Sequence, residues 1–222
     1  LHGDEFSKST YRSFNIDVVP APVFKYHTVT RSEETWTNSK RNYLWFGSTG
    51  VIHKGLDILI DTFKNLPDFT LHICGNLKAE SDFLQVYSDL MERSPNIKHH
   101  SFIDIRSDEY KDLLSSCAFV IFPSVSEANC ASVITCMANG GLIPIVTKNT
   151  DVNLASYGVE IAGFTENDIL HAIFKSQQLT PIELDSHSKK ILEQTTKYHT
   201  FQYFKKDFKE KLRGALSVLA ST

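Results

Sequence analysis

The stretch from residue 118 to residue 147, AFVIFPSVSEANCASVITCMANGGLIPIVT, constrains this chain most. Residues 118–122 are a short apolar run that stops at Pro123, the pattern of a strand buried on both faces of a parallel sheet. Residues 123–130 form a polar loop with one carboxylate, Glu127. Residues 131–139 are small and apolar with no breaker, which predicts a helix ended by Gly140 and Gly141. Residues 142–147 are apolar again and predict a second strand. Open α/β sheets bind ligands in a loop between a strand's C-terminal end and a helix's N-terminus. Ala131, Ser132 and Val133 would offer unpaired backbone N–H groups and a partial positive charge, which suits phosphate. An acid beside an anion site must serve something else, such as a sugar hydroxyl, and Glu127 is placed for that.

The same alternation runs through the chain. Residues 43–46 predict a first strand, ended by Gly47, and residues 70–74 a second, ended by Gly75. A third strand is expected within residues 97–103 and a sixth over residues 159–162. Between them, Leu56, Leu59, Ile60 and Phe63 share one helical face, as do Phe83, Leu84, Tyr87 and Met91. Residues 107–116 predict a further helix, and Thr165 with Asp168 makes a capping box for another. Strands alternating with helices predict a Rossmann-like parallel sheet of about six strands with helices on both faces. Pro181 breaks the pattern, and residues 184–220 predict two appended helices with no strand after them.

The N-terminal part has no clear period. Residues 1–14 hold at most a small helix, residues 18–24 with Pro20 and Pro22 read as an extended connector, and residues 31–41 as a polar loop. The expected organisation is a tail and linker over 1–40, a ligand-binding domain over 41–183 and C-terminal helices over 184–222.

Residues 47–55, GSTGVIHKG, are the second notable stretch. Gly47 and Gly50 let backbone approach a ligand closely, and Lys54 at the start of a helix can reach a diphosphate. The stretch is neither a Walker A loop nor a G-x-G-x-x-G turn, because His53 and Gly55 stand where those motifs need other residues.

The two stretches together resemble the retaining GT-B glycosyltransferases of family 4. That family's signature runs P-S-x-x-E-G-F-G-x-x-x-x-E-A-M-A-x-G-x-P-V-V. Pro123, Ser124, Glu127, Met137, Ala138, Gly140, Pro144 and Val146 match it. Ala128, Asn129 and Cys130 replace the G-F-G, Thr135 replaces the second glutamate, and two extra residues precede Pro144. Lys54, Gly55 and Asp57 match the family's G-R-x-x-x-x-K-G-x-D segment, whose arginine is replaced by Ser48 or Thr49.

The resemblance implies the donor-binding half of a glycosyltransferase that moves a hexose from a nucleoside-diphosphate sugar to a glycan or lipid-linked acceptor. It implies that Glu127 and Lys54 are catalytic, Lys54 meeting the diphosphate and Glu127 binding the donor sugar and helping to stabilise charge as the bond to phosphate breaks. Gly47, Ser48, Thr49, Gly50, Gly75, Ala128, Asn129, Cys130, Ala131, Ser132 and Thr135 would line the donor site. Phe102, Ile103 and Asp104 are similar to the segment whose backbone meets the nucleobase, with Ile103 at the contact. No metal is expected: the family needs none, and His99 and His100 are adjacent on a strand and so face opposite ways. An acceptor-binding N-terminal domain would precede residue 40, so the chain, which does not begin with Met, is expected to be part of a longer protein and inactive alone. Two other readings stay open: a degenerate domain serving as an interaction module, and a different nucleotide-binding α/β enzyme.

Composition excludes several classes. A net charge of -3 argues against nucleic acid and anionic membrane as partners. No apolar run is long enough to span a bilayer, so membrane contact is expected to be peripheral at most, at the inner face of the plasma membrane. Cys74, Cys117, Cys130 and Cys136 lie in or beside apolar segments without C-x-x-C spacing, which predicts buried free thiols in a reducing cytoplasm.

Overall fold

The structure, a computed structural model, describes residues 5–11, 14 and 16–219. Six parallel strands form one sheet in the order β3-β2-β1-β4-β5-β6. They are β1 (Asn42–Phe46), β2 (Thr70–Cys74), β3 (Ile97–His99), β4 (Phe119–Phe122), β5 (Ile143–Thr147) and β6 (Val159–Ile161). The connecting helices are α3 (Leu56–Phe63), α4 (Ser81–Arg93), α5 (Asp108–Ser116), α6 (Ala131–Gly140) and α7 (Glu166–Gln177). Helix α1 (Glu5–Thr10) and helix α2 (Glu33–Ser39) precede the sheet, and α8 (Pro181–Tyr198) and α9 (Phe201–Leu219) follow it. Helices cover both faces: α3 packs against α4 and α7, whereas α2, α5, α6 and α8 pack on one another. This is the α/β sheet that the alternation predicts, with most strand bounds within a residue or two of expectation.

The apolar runs form the centre because a strand covered on both faces needs side chains that lose nothing in leaving water. Every residue of β4 and of β5 is buried. Across the β1–β4 pair, Tyr43 stacks on Phe119 at 5.1 Å and Trp45 on Phe122 at 5.7 Å between ring centroids. The Tyr43 hydroxyl keeps polar partners in the core, Ser176 Oγ at 3.0 Å and Gln177 Nε2 at 2.7 Å.

Three N- and C-terminal expectations need correction or location. Residues 31–41 are not a polar loop: Ser32 caps α2, accepting the Thr35 N–H at 3.2 Å, and Trp36 is buried beneath the Arg31 guanidinium at 4.5 Å. One short helix with a single large apolar residue leaves no period to read. Arg31 is itself buried, donating to the Gly140, Leu114 and Cys117 carbonyls at 2.6, 2.5 and 3.0 Å. Pro181 does not break structure but begins α8, at the position where its missing N–H costs nothing. Thr180 and Glu183 form a capping box around it, so α8 starts before residue 184. The small helix expected within residues 1–14 is α1; Arg12 and Ser13 lie outside the described residues.

The connector over residues 16–30 is extended, and side chains rather than a strand ladder fix it. The Asn139 carboxamide accepts the Tyr26 and His27 N–H groups at 2.7 and 3.0 Å and donates to the Phe24 carbonyl at 2.9 Å. Asn129 Oδ1 accepts the Ala21 N–H at 2.6 Å. His199 Nδ1 meets the Ala21 carbonyl at 2.9 Å.

On β2, His72 is buried, with Nδ1 2.8 Å from His100 Nε2. Burial, with His100 and Lys98 adding like charge, lowers His72 to about 4. The unfolded chain takes up this proton near pH 6.5 and the folded chain only near 4, so stability falls as pH drops through that window and levels off below it. At about 1.4 kcal/mol per pH unit the loss is roughly 3 kcal/mol. Urea midpoints measured across this range should fall steeply for the native sequence and clearly less for His72→Leu.

Candidate functional site

The sheet reverses its direction of growth between β1 and β4, so the loops after these strands open into one crevice at their C-terminal ends. These are the two stretches singled out in the sequence, residues 47–55 and 123–130.

The first loop leaves β1 through Gly47, whose N–H donates to the Cys74 carbonyl at 3.0 Å. A Cβ on Gly47 would come within 2.4 Å of the Trp45 ring, and one on Gly75 within 2.7 Å of the Gly47 carbonyl oxygen. Both glycines therefore let β1 and β2 end in close backbone contact beside the buried indole. Gly50 turns at φ +76° and donates its N–H to Glu80 Oε1. Lys54 is buried and folds back along the loop, donating to the Thr49 carbonyl at 2.6 Å and to Ser48 Oγ at 3.2 Å. Ser48 and Thr49, where the family has its arginine, are exposed and hold this ammonium with neutral oxygens.

The second loop is clamped to the first. Ser124 Oγ and the Val125 N–H both donate to the His53 carbonyl, at 3.1 and 2.9 Å. Trp45 Nε1 donates to the Lys54 carbonyl at 3.2 Å. Gly55, at φ +71°, lies so close to Pro123 that a Cβ would come within 2.5 Å of its carbonyl oxygen. Thr147 Oγ1, at the end of β5, donates to the Ser124 carbonyl at 2.5 Å. The Lys54-Gly55 and Pro123-Ser124 pairs thus act on each other through backbone.

Past the clamp, Glu127 is held by its own N–H, which donates to the Asn149 carbonyl at 2.9 Å. Its Oε1 is buried without a hydrogen-bond partner, and His53 Nε2 lies 3.8 Å away. Cys130 caps α6, and its thiol feels the charge of both Glu127 and Lys54, which places all three at one end of the crevice. Burial, reinforced by Glu127, pushes this thiol up to about 12, so it stays protonated and is no nucleophile. All four cysteines are free and buried. Ala128 and Ala131 are exposed and Ser132 half-buried, so the start of α6 reaches the surface, with the Cys130 thiol against the Ser132 and Val133 N–H groups and no polar side chain capping the helix.

Three of the expected site residues are directed elsewhere. Asn129, at φ 60°, turns its buried carboxamide away to bridge Ala21 and the Asp151 carbonyl. Thr135 Oγ1 donates to the Ala131 carbonyl at 2.7 Å, a bond within its own helix. Ile103 is buried in the core and has only its backbone to offer, while its neighbour Phe102 is exposed. Of the remaining candidates, Gly47, Ser48, Thr49, Gly50 and Lys54 lie in the loop after β1, with Gly75 against Gly47, and Glu127, Ala128, Cys130, Ala131 and Ser132 lie between β4 and the first turn of α6. The sequence reading did not assign roles to His53, Asn139 or Thr147. His53 had a signal in its position beside Lys54; the partners of the other two are far away in the chain.

Residues 30–164 match the family model described as glycosyl transferases group 1. No curated protein matches the chain. Among solved structures it is similar to HepE of Anabaena, crystallised with UDP and glucose, at 16% identity and a TM-score of 0.64, covering 89% of this chain and 57% of that one. A glycosyltransferase from Rickettsia africae aligns at 12% identity and a TM-score of 0.65, over 93% of this chain and 58% of the other. The C-terminal domain of LpcC from Francisella tularensis, a group 1 family protein, aligns at 16% identity and a TM-score of 0.56, over 79% of this chain and 96% of its own length. The chain therefore spans under two thirds of the Anabaena and Rickettsia chains and nearly all of a separately folded C-terminal domain. These likenesses bear on the fold, a GT-B half; the family model, covering most of the chain, decides membership: the protein belongs to the glycosyl transferases group 1.

Proposed function

We propose that this chain binds a nucleoside-diphosphate sugar and serves as the donor-binding half of a retaining hexosyltransferase acting on a glycan or lipid-linked acceptor. The observation that carries the reading is the convergence of Lys54, the first turn of α6 and the unpaired Glu127 oxygen in the crevice between β1 and β4. An ammonium and a helix N-terminus favour a diphosphate, as leaving group as well as ligand. Glu127 is placed to accept from hydroxyls of the donor sugar, which would satisfy the oxygen that the free chain leaves unpaired. The backbone at Ile103 and the glycines at 47 and 75 would border the nucleobase end. In this reading the phosphate charge is met by Lys54 and N–H dipoles, with no metal ion. UDP in the Anabaena crystals supports a uridine nucleotide as the first probe.

Lys54→Ala should weaken binding of UDP, measured by calorimetry, with the far-UV circular dichroism unchanged. A charge-assisted contact contributes roughly 1.5–3 kcal/mol, so the loss should be about ten-fold or more. Unchanged affinity in a folded variant would remove the donor-site assignment and favour the interaction-module reading. Thr135→Glu should tighten UDP binding, because a carboxylate in that turn reaches ribose hydroxyls that Thr135, bonded to Ala131, does not. Flat or weaker binding would put the ribose elsewhere.

Transfer also requires the acceptor to be held against the anomeric carbon, an alignment that supplies ~7–11 kcal/mol of a barrier. Residues 41–183 hold one sheet, and we place the acceptor on a further domain. Incubated with donor and acceptor, the 222-residue chain should show donor hydrolysis at most. Robust transfer by the chain alone would refute that division of labour.

A further inference from the structure

The loop after β1 carries no arginine, and Lys54 is its one cation that the donor reading uses. We propose that His53 is a further donor-site residue, one that supplies the missing positive group to the diphosphate and positions Glu127. The inference rests on the nucleotide-sugar reading of the crevice and adds to it a residue and a pH dependence.

Three observations place the imidazole. The backbone of His53 is pinned by both donors from the second loop, Ser124 Oγ and the Val125 N–H. Its ring lies over the Gly50 turn, where a Cβ would come within 2.5 Å of ring carbon Cε1 and 2.7 Å of Nδ1. Its Nε2 stands 3.8 Å from Glu127 Oε1, the buried oxygen with no hydrogen-bond partner. The ring therefore spans the glycine turn on one side and the carboxylate on the other. With 48% of the side chain exposed, a ligand in the crevice can reach it. Lys54, next in the chain, points its Nζ into the same loop.

The surroundings favour the charged ring once a donor binds. Glu127 faces it from the loop after β4, and Glu80, before α4, reaches the Gly50 N–H beneath it. Lys54 opposes it from its own loop, and the Cys130 thiol stays neutral. A diphosphate adds negative charge to this set, so a bound donor favours the protonated ring. Arginine stays charged at any pH of interest, whereas histidine is the side chain that can lose its charge in the physiological range. Donor affinity should then fall as pH rises.

The test uses UDP-glucose, GDP-glucose and ADP-glucose, whose phosphates are both esterified and do not titrate in the window, with calorimetry at about pH 6 and about pH 8. The native chain should bind at least one of them about five- to ten-fold tighter at the lower pH. His53→Gln should bind weakly and equally at both, and His53→Arg tightly and equally at both. If His53→Gln keeps the native affinity and pH slope while Lys54→Ala weakens binding, the role of His53 is overturned and the donor site stands. If the native chain binds none of the three at either pH, the donor site and this inference fall together.

Discussion

The parallel pairing of β1 with β4 is the contact on which the rest of the molecule depends. Tyr43 lies opposite Phe119 and Leu44 opposite Val120, with the aromatic stacks closing the pair on its faces. Because β2 and β3 extend the sheet one way and β5 and β6 the other, this pair is where crossover helices leave to opposite faces. The chain then has to part above it, and the opening is a crevice. The clamp of Gly55 on Pro123, with Ser124 and Val125 on the His53 carbonyl, sets how wide the opening is. Side chains on both loops inherit their spacing from this backbone contact, so Lys54, His53 and Glu127 are held relative to one another without direct hydrogen bonds between them.

The electrostatics of the crevice follow from what is buried and what is left unpaired. Lys54 is out of water but rests on neutral oxygens. Such an arrangement keeps its charge available, since no carboxylate is paired with it among the described residues. Glu127 is the opposite case, a carboxylate oxygen shielded from solvent and lacking a donor. A buried acceptor without a partner costs about 1–3 kcal/mol, and that cost is recovered when a ligand hydroxyl arrives. The family's second carboxylate is replaced by a threonine whose hydroxyl is spent on its own helix. On the proposed donor-site reading, recognition would lean on the phosphate end of the site more than on the ribose.

The same helix that presents N–H groups to the crevice anchors the connector by its other end. Asn139, in the last turn of α6, holds residues 24–27, and Arg31 just beyond reaches the Gly140 carbonyl where α6 ends. Desolvation lowers Arg31 to about 10, still charged at neutral pH, and carbonyls at the ends of α5 and α6 face it with the negative ends of both helices. Among the described residues no helix is long and apolar enough to cross a membrane.

Local chemistry in the chain determined the strands, most helix bounds and the two loops. The apolar runs of β1, β2 and β4 are largely buried, and they stop at Gly47, Gly75 and Pro123, signals that read the same way in any context. The Thr165–Asp168 capping box was legible for the same reason, being complete within four consecutive residues. What the tertiary structure alone decided depends on partners far away in the chain. Helix α2 exists because Trp36 found the Arg31 guanidinium to lie under, with α8 and α5 packed against the helix. Asn129 left the crevice because Ala21, 108 residues away, needed an acceptor. His53 reached Glu127 only through the clamp between loops that are remote in sequence. Periodicity and turn chemistry are properties of neighbours along the chain; the direction of a polar side chain is set by whichever unpaired group the fold brings within about 3 Å.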